Sequence, residues 1–116
     1  MEFTEAESAK FWPVYNNYEQ ERKKLGQARI DNIMNFARNN EGMTNEKAAE
    51  QVNATLDNHI AFTKLQQKTY KEMSGAITPL RAAQFIQLEV FLENVIRKEI
   101  SSAIPMIGKV DATEKN

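Results

Sequence analysis

The chain lacks cysteine and has a single histidine among 116 residues. Disulfide bonds, thiol catalysis and thiolate metal sites are therefore excluded. One imidazole also argues against histidine-rich metal sites and most histidine-based catalysis. Glycine and proline are scarce, with four and three residues, which is too few turn residues for a many-stranded sandwich or barrel. Composition thus argues against an all-β fold and against cysteine chemistry.

Charge is balanced, and long apolar runs are missing. Fifteen basic and sixteen acidic residues give a formal net charge of -1, so the basic excess typical of nucleic-acid-binding proteins is absent and no nucleic-acid partner is expected. No run of 18 apolar residues occurs, so no membrane span is predicted. The acidic residues 1–7 do not resemble a signal peptide. The chain is therefore expected to be either cytosolic or a mature segment whose leader has been removed.

Apolar residues recur at spacings of three, four and seven along the whole chain, without sustained period-two alternation. This pattern predicts helices over 4–39, 44–74 and 78–104. We therefore assign the chain to the all-α class, as an elongated antiparallel helical hairpin or bundle of three long helices. A single helical domain is expected over residues 1–105, with a flexible C-terminal tail over 106–116.

Capping residues mark the helix boundaries. Each predicted helix begins after a threonine that follows a hydrophobic residue, and these threonines are Thr4, Thr44 and Thr78. A threonine oxygen can accept from the free N–H groups of a first turn. Glu7 completes a capping box, and Pro79 occupies the favoured first helical position. Gly42 and Gly75 are expected to end the first two helices in the left-handed conformation.

Pro13 and Gly26 interrupt the pattern of the first helix. Proline lacks an N–H and clashes with the preceding turn, so the helix is expected to be kinked or split near Pro13. Gly26 costs roughly 1 kcal/mol relative to alanine in a helix interior, and it marks a second weak point. The first span is therefore predicted to consist of two or three pieces.

Two heptad seams run along the predicted helices. The seam of the middle helix comprises Ala49, Val52, Leu56, His59, Thr63, Gln66, Tyr70 and Met73. The seam of the last helix comprises Phe85, Leu88, Leu92, Val95, Glu99 and Ala103. At about 1.5 Å per residue the helices are roughly 40 to 54 Å long, which exceeds the width of a small globule. Such an elongated chain leaves apolar surface uncovered, so a homodimer is expected.

Aromatic residues form the candidate partner-binding set. Four of them gather beside Pro13, and two on the last helix are expected to join them: Phe11, Trp12, Tyr15, Tyr18, Phe85 and Phe91. Core packing is the default interpretation of such a group. The alternative is a concave apolar surface that binds segments of a partner protein.

Charged residues offer no catalytic or metal site. His59 has threonines at i−4 and i+4 and is interpreted as structural, and the scattered methionines are interpreted as core residues. The acidic residues near Glu5 suit a helix N-terminus, and Glu93 with Arg97 forms an i,i+4 pair on a solvated face. No nucleophile–histidine–acid arrangement or phosphate-binding loop is present. Catalytic, cofactor and metal sites are therefore not expected.

The charge is unevenly distributed along the first helix. Residues 1–21 contain five acidic residues and one lysine, a net charge of -4. Residues 22–38 contain five basic residues and one aspartate, a net charge of +4. Either this is a solvated helix face, or it supports antiparallel self-recognition, because two such segments would place opposite charges together.

The stretches F-T-E-A-E at residues 3–7 and I-T-P-L-R at residues 77–81 each stand at the start of a predicted helix. They resemble the paired L-T-x-x-Q motifs of Spy/CpxP-type helical periplasmic proteins. Phe3 and Ile77 stand where the motif has leucine, and Glu7 and Arg81 stand where it has glutamine. The string F-W-P-V-Y at residues 11–15 is closer to an uncharacterised branch of predicted envelope proteins.

The resemblance implies a periplasmic, cradle-shaped dimer that holds unfolded protein clients or senses envelope stress with a signalling partner. It implies neither enzymatic activity nor a cofactor. The alternative is a cytosolic structural or regulatory module that binds one partner helix through the aromatic stripe. An enzyme would need a cofactor to supply the chemistry that the side chains do not offer.

Overall fold

The computed structural model of the chain describes residues 2–104. Within this range it has three α-helices and no strand: α1 (Glu5–Asn39), α2 (Asn45–Ala76) and α3 (Pro79–Ala103). Short connections make successive helices antiparallel. The all-α prediction is confirmed, and the predicted boundaries agree to within two residues. The predicted flexible tail, residues 106–116, lies outside the described residues.

The three threonine caps are confirmed. The Thr4 hydroxyl accepts from the N–H of Glu7 at 3.1 Å, and the Glu7 carboxylate accepts from the N–H of Thr4 at 3.1 Å, which completes the capping box. The Thr44 and Thr78 hydroxyls accept from the N–H groups of Lys47 and Arg81 and so cap the other two helices. These local hydrogen bonds explain why threonine positions located the helix starts so well.

The predicted glycine caps are wrong. Gly75 lies inside α2, which continues to Ala76, and the N–H of Ile77 donates to the Met73 carbonyl at 2.8 Å. Neither Gly75 nor Gly42 has a backbone in the left-handed region. Because Ile77 already satisfies a terminal carbonyl, α2 needs no left-handed residue at its end.

The first helix is not divided. It is continuous from Glu5 to Asn39 through both Pro13 and Gly26, so the prediction of two or three pieces is wrong. Phe11 is buried before the proline, and Tyr18 is buried after it. Tertiary packing of this face stabilises the helix on both sides of Pro13 and offsets the lost hydrogen bond.

The central helix, α2, organises the molecule. It packs against both neighbours, whereas no Cα atom of α1 comes within 8 Å of a Cα atom of α3. The described residues extend over 61 × 25 × 16 Å, so the elongated shape that helix length predicts is confirmed. Because the α1 and α3 backbones stay apart, only side chains connect them.

The core lies near the connection between α2 and α3. Its buried cluster comprises Phe11, Tyr18, Leu65, Met73, Ala82 and Phe85. Met73 of α2 and Ala82 of α3 have no exposed surface. Farther along the molecule, Phe36 and Phe62 are also buried.

The predicted heptad seams are displaced in the structure. The buried face of α2 consists of Asn58, Phe62, Leu65, Thr69 and Met73, while Leu56 of the predicted seam is 50% exposed. Asn58 is buried because its amide donates to the Leu25 carbonyl of α1 at 3.0 Å. Such a tertiary hydrogen bond makes a polar residue a core residue, and apolar periodicity does not reveal it.

Replacing Met73 by alanine should lower the free energy of unfolding by about 2–4 kcal/mol, because the side chain is fully buried and its loss leaves a cavity. The same change at Met34, which is 54% exposed, serves as the control and should stay within about 0.5 kcal/mol of the parent. Urea denaturation followed by circular dichroism measures both values. Equal losses would contradict the assignment of Met73 to the core.

Candidate interaction site

Phe85 connects α3 to the aromatic residues of α1. Its ring centroid lies 6.1 Å from that of Phe11 and 6.0 Å from those of Tyr15 and Tyr18, with interplanar angles of 74–89°. Edge-to-face geometry of this kind is favourable between aromatic rings. Four members of the predicted partner-binding set therefore come together. Phe11, Tyr18 and Phe85 are buried and present little surface to a partner.

Trp12 and Phe91 are the accessible members of that set. Trp12 is 49% exposed and lies at the edge of the cluster, with ring centroids 5.0 Å from Phe11 and 5.6 Å from Tyr15. A shallow depression beside Trp12 includes Phe3 and Pro13. Phe91 is 61% exposed and makes no contact with another aromatic ring among residues 2–104. The two residues therefore belong to separate surfaces.

Phe91 belongs to an apolar surface that we call the outer face of α3, defined by Leu88, Phe91, Leu92 and Val95. These side chains are 55%, 61%, 45% and 44% exposed. Their spacing of i, i+3, i+4 and i+7 places them in one stripe along the helix. Helical periodicity placed Leu88, Leu92 and Val95 on the predicted seam of the last helix. They are exposed because α1 and α2 cover a different face of α3, which includes Ala82 and Phe85.

The two motif copies meet at the N-termini of α1 and α3. Arg81 donates to the Glu7 carboxylate at 2.9 Å and also to the Glu2 carbonyl. Its guanidinium lies over the Phe3 ring, 4.7 Å from the centroid. Glu7 and Arg81, which stand where the motif has glutamine, thus form an ion pair with each other. Their opposite charges allow the two motif copies to pack together.

A row of polar contacts continues between α1 and α3. The Tyr18 hydroxyl donates to the Glu89 carboxylate at 3.1 Å, and Arg29 donates to Glu93 at 2.5 Å. Burial, together with the nearby charge of Glu89, raises the pKa of Tyr18 well above its usual value. Its hydroxyl therefore stays protonated and donates at all ordinary pH values.

The predicted i,i+4 pair between Glu93 and Arg97 is confirmed at 3.2 Å, but its solvated setting is not. The Glu93 side chain is only 11% exposed, because Arg29 of α1 shares the same carboxylate oxygen. The i,i+4 spacing along α3 predicted the pair of Glu93 and Arg97. The third residue, Arg29, joins them only through the packing of α1 against α3. This carboxylate is a structural link between two helices, not an exposed surface charge.

The described residues hold no cluster suited to metal binding and no helix that could span a membrane. Residues 2–104 contain no group of three or more histidine, aspartate or glutamate side chains placed around a common point. No helix in that range is long and apolar enough to cross a bilayer. His59 has a lowered pKa because of burial and the nearby charges of Arg97 and Arg29.

Comparisons with protein-family models, with curated proteins and with solved structures found no match to the chain. Function is therefore inferred from the geometry of residues 2–104 and from the motif resemblance. Among the accessible apolar surfaces, the outer face of α3 is continuous along one helix and contains the most exposed aromatic residue of the candidate set. It is the candidate interaction site.

The Glu7→Gln variant should lose thermal stability relative to the parent at pH 7, and this difference should vanish in acid. The hydrogen bond from the Thr4 N–H and the charge of Arg81 lower the pKa of Glu7 below its ordinary 4.5. Its stabilising contribution is therefore complete above that value and is lost as pH falls through the lower pKa of the folded protein. Thermal unfolding from pH 7 to pH 2 measures the difference.

Glu5→Gln provides the matched control, since Glu5 is an exposed residue in the same first turn of α1. It removes the same charge but no contact with α3, so its effect at pH 7 should be smaller. Equal effects of the two substitutions would show that only the helix dipole matters at this terminus.

Proposed function

We propose that this chain is a non-enzymatic protein-interaction molecule that pairs with a second copy of itself through the outer face of α3. The observation that carries the proposal is the exposure of Leu88, Phe91, Leu92 and Val95 along one side of a single helix. A contiguous apolar stripe in contact with water is unfavourable, and association removes it from solvent.

The outer face of α3 suits self-association because its spacing is symmetric. Successive members are three, one and three residues apart, which reads the same in both directions along the helix. When two α3 helices pack antiparallel, Leu88 meets Val95 of the second copy and Phe91 meets Leu92. Such a pairing satisfies a two-fold axis, on which both copies use the same patch.

Polar residues limit the stripe at both ends. One helical turn beyond it lie Gln84 on one side and Glu99 on the other, both exposed. In the antiparallel pairing they come opposite each other, and the amide of Gln84 can donate to the Glu99 carboxylate. This complementarity favours the antiparallel arrangement, because a parallel pairing would bring two Glu99 carboxylates together.

The motif resemblance extends the proposal to a periplasmic, chaperone-like or envelope-stress-sensing role for the dimer. The packed arrangement of Thr4, Glu7, Thr78 and Arg81 supports the resemblance, since both copies begin a helix and contact each other. Unfolded clients would bind at the exposed aromatic edge around Trp12, which the outer face of α3 leaves free.

A cytosolic structural or regulatory interaction module is the second candidate. Burial of Phe11, Tyr18 and Phe85 argues against an open cradle, because most of the aromatic stripe lies inside the protein. A partner helix would contact the exposed edge of that stripe at Trp12, and so narrow a surface suits one partner helix better than many clients. Fractionation of cells that produce the protein from its native gene separates the two candidates.

The Leu88→Glu variant should sediment as a monomer at concentrations where the parent is a dimer, because a charge in the interface leaves a buried carboxylate unpaired. The control is Leu56→Glu on α2, where the leucine is exposed to a similar extent, 50% against 55%. It should leave the dimer intact. Analytical ultracentrifugation measures both, and a monomeric parent over the whole concentration range would refute self-association.

The parent should suppress aggregation of a thermally unfolded client at several-fold molar excess, and Trp12→Ser should weaken this effect. Trp12 is an aromatic residue, 49% exposed, at the edge of the buried cluster, and exposed apolar surfaces of this kind bind unfolded segments. Ile30→Ser, at a position on α1 that is 50% exposed, is the control and should act like the parent. Light scattering follows the reaction, and no suppression by the parent would exclude the chaperone role.

A further inference from the structure

A cavity of about 380 Å³ lies away from the aromatic cluster, between the C-terminal half of α1, the N-terminal half of α2 and the end of α3. Its apolar wall includes Ile33, Phe36, Ile100 and Ile104. A cavity of about 150 Å³ lined by apolar side chains can hold benzene, so this one has room for a ligand with a substantial hydrocarbon part. Its size falls within the range of small-molecule sites.

Two arginines form a charged end of this cavity. Arg29 and Arg97 line it, and both donate to the same oxygen of Glu93, at 2.5 Å and 3.2 Å. One carboxylate balances only one of the two guanidinium groups, so a net positive charge remains. The Nε atoms of both arginines are buried and have no hydrogen-bond partner among residues 2–104. Because these Nε atoms are enclosed, a bound molecule interacts with the positive charge of the two guanidinium groups and not with the Nε atoms themselves.

Asn58 adds an unpartnered polar atom to the same cavity. Its side chain is 6% exposed, its amide nitrogen donates to the Leu25 carbonyl, and its Oδ1 atom has no partner among the described residues. Buried side-chain polar atoms are nearly always hydrogen-bonded to protein or to bound molecules. Asn58 thus places a polar side chain in the part of the cavity wall that α2 forms, where its amide signal can report on a bound molecule.

We propose that this cavity binds a small amphipathic monoanion, namely a carboxylate attached to a hydrocarbon chain or ring. The carboxylate balances the remaining positive charge of Arg29 and Arg97, while the hydrocarbon part packs against Ile33 and Ile100. A cation would be repelled by the arginines. A neutral apolar ligand would leave their excess positive charge without a counter-ion, which is unfavourable in a partly buried site.

The cavity and the outer face of α3 are separate surfaces, so the two proposals stand or fall independently. None of the four residues of the outer face lines the cavity. Ligand binding in the cavity should therefore change the NMR signals of Asn58 and His59. Apolar adsorption to the outer face of α3 should instead change those of Leu88 and Phe91.

Titration of the full chain with octanoate, followed by ¹H–¹⁵N NMR, tests the proposal. Octanoate should shift the Asn58 side-chain amide and the His59 signals and should saturate. Octanol and octylammonium, which share its chain but not its charge, should bind at least about tenfold more weakly, as expected for loss of a charge-assisted hydrogen bond. Equal binding of all three, or shifts confined to the outer face of α3, would overturn the proposal.

Two variants on α3 form a matched pair for this titration. Arg97→Gln should weaken octanoate binding about tenfold, whereas Lys98→Gln removes the same charge from the adjacent exposed position and should have little effect. Ile100→Trp fills the cavity and should abolish binding while the signals of the aromatic cluster stay unchanged. Equal effects of the two charge substitutions would overturn the proposed contact.

His59 provides a second readout that does not depend on affinity. The charged groups that act on it are Arg29 from α1 and Arg97 and Glu93 from α3, and burial with the two arginines lowers its pKa. A bound carboxylate offsets those positive charges, so octanoate should raise the pKa of His59. An unchanged pKa at saturating octanoate would place the ligand elsewhere and refute the proposal.

Discussion

The contact of Phe85 with the α1 aromatic rings is the interaction on which the rest of the structure depends. No Cα atom of α1 comes within 8 Å of a Cα atom of α3. Phe85 therefore fixes α3 against α1 through side chains alone, with rings about 6 Å apart. This packing sets the rotation of α3 about its axis, and thereby decides which of its two apolar faces is covered.

Side-chain contacts between α1 and α3 also determine the electrostatics of the molecule. The ion pair between Glu7 and Arg81 connects α1 to α3 near the N-termini of both helices. The ion pair between Arg29 and Glu93 connects the same two helices farther along. Because these ion pairs are partly buried, their charges attract each other more strongly than the charges of exposed surface pairs do. The excess of arginine over carboxylate near Arg97 then gives the cavity at the far end its positive charge.

Sequence reasoning predicted the helices well and the site only in part. Thr4, Thr44 and Thr78 located the helix starts because capping depends on residues within one turn. Phe91 was predicted as a partner-binding residue and is exposed. Periodicity placed Leu88 on a seam but could not say whether that seam is covered, since an apolar stripe looks the same whether it is covered or exposed. The polar lining of the cavity has no sequence signal, because Arg29 and Asn58 meet there only through the packing of different helices.

The sequence by itself determined the all-α class, three capped helices and the absence of cysteine chemistry, all of which follow from local hydrogen bonding and helical period. Only the tertiary structure decided that Pro13 is spanned without a break, that Asn58 belongs to the core and that α3 turns Phe91 outward. Each of these depends on contacts between residues far apart in the chain. Their energies exceed the local preferences on which periodicity and propensity report.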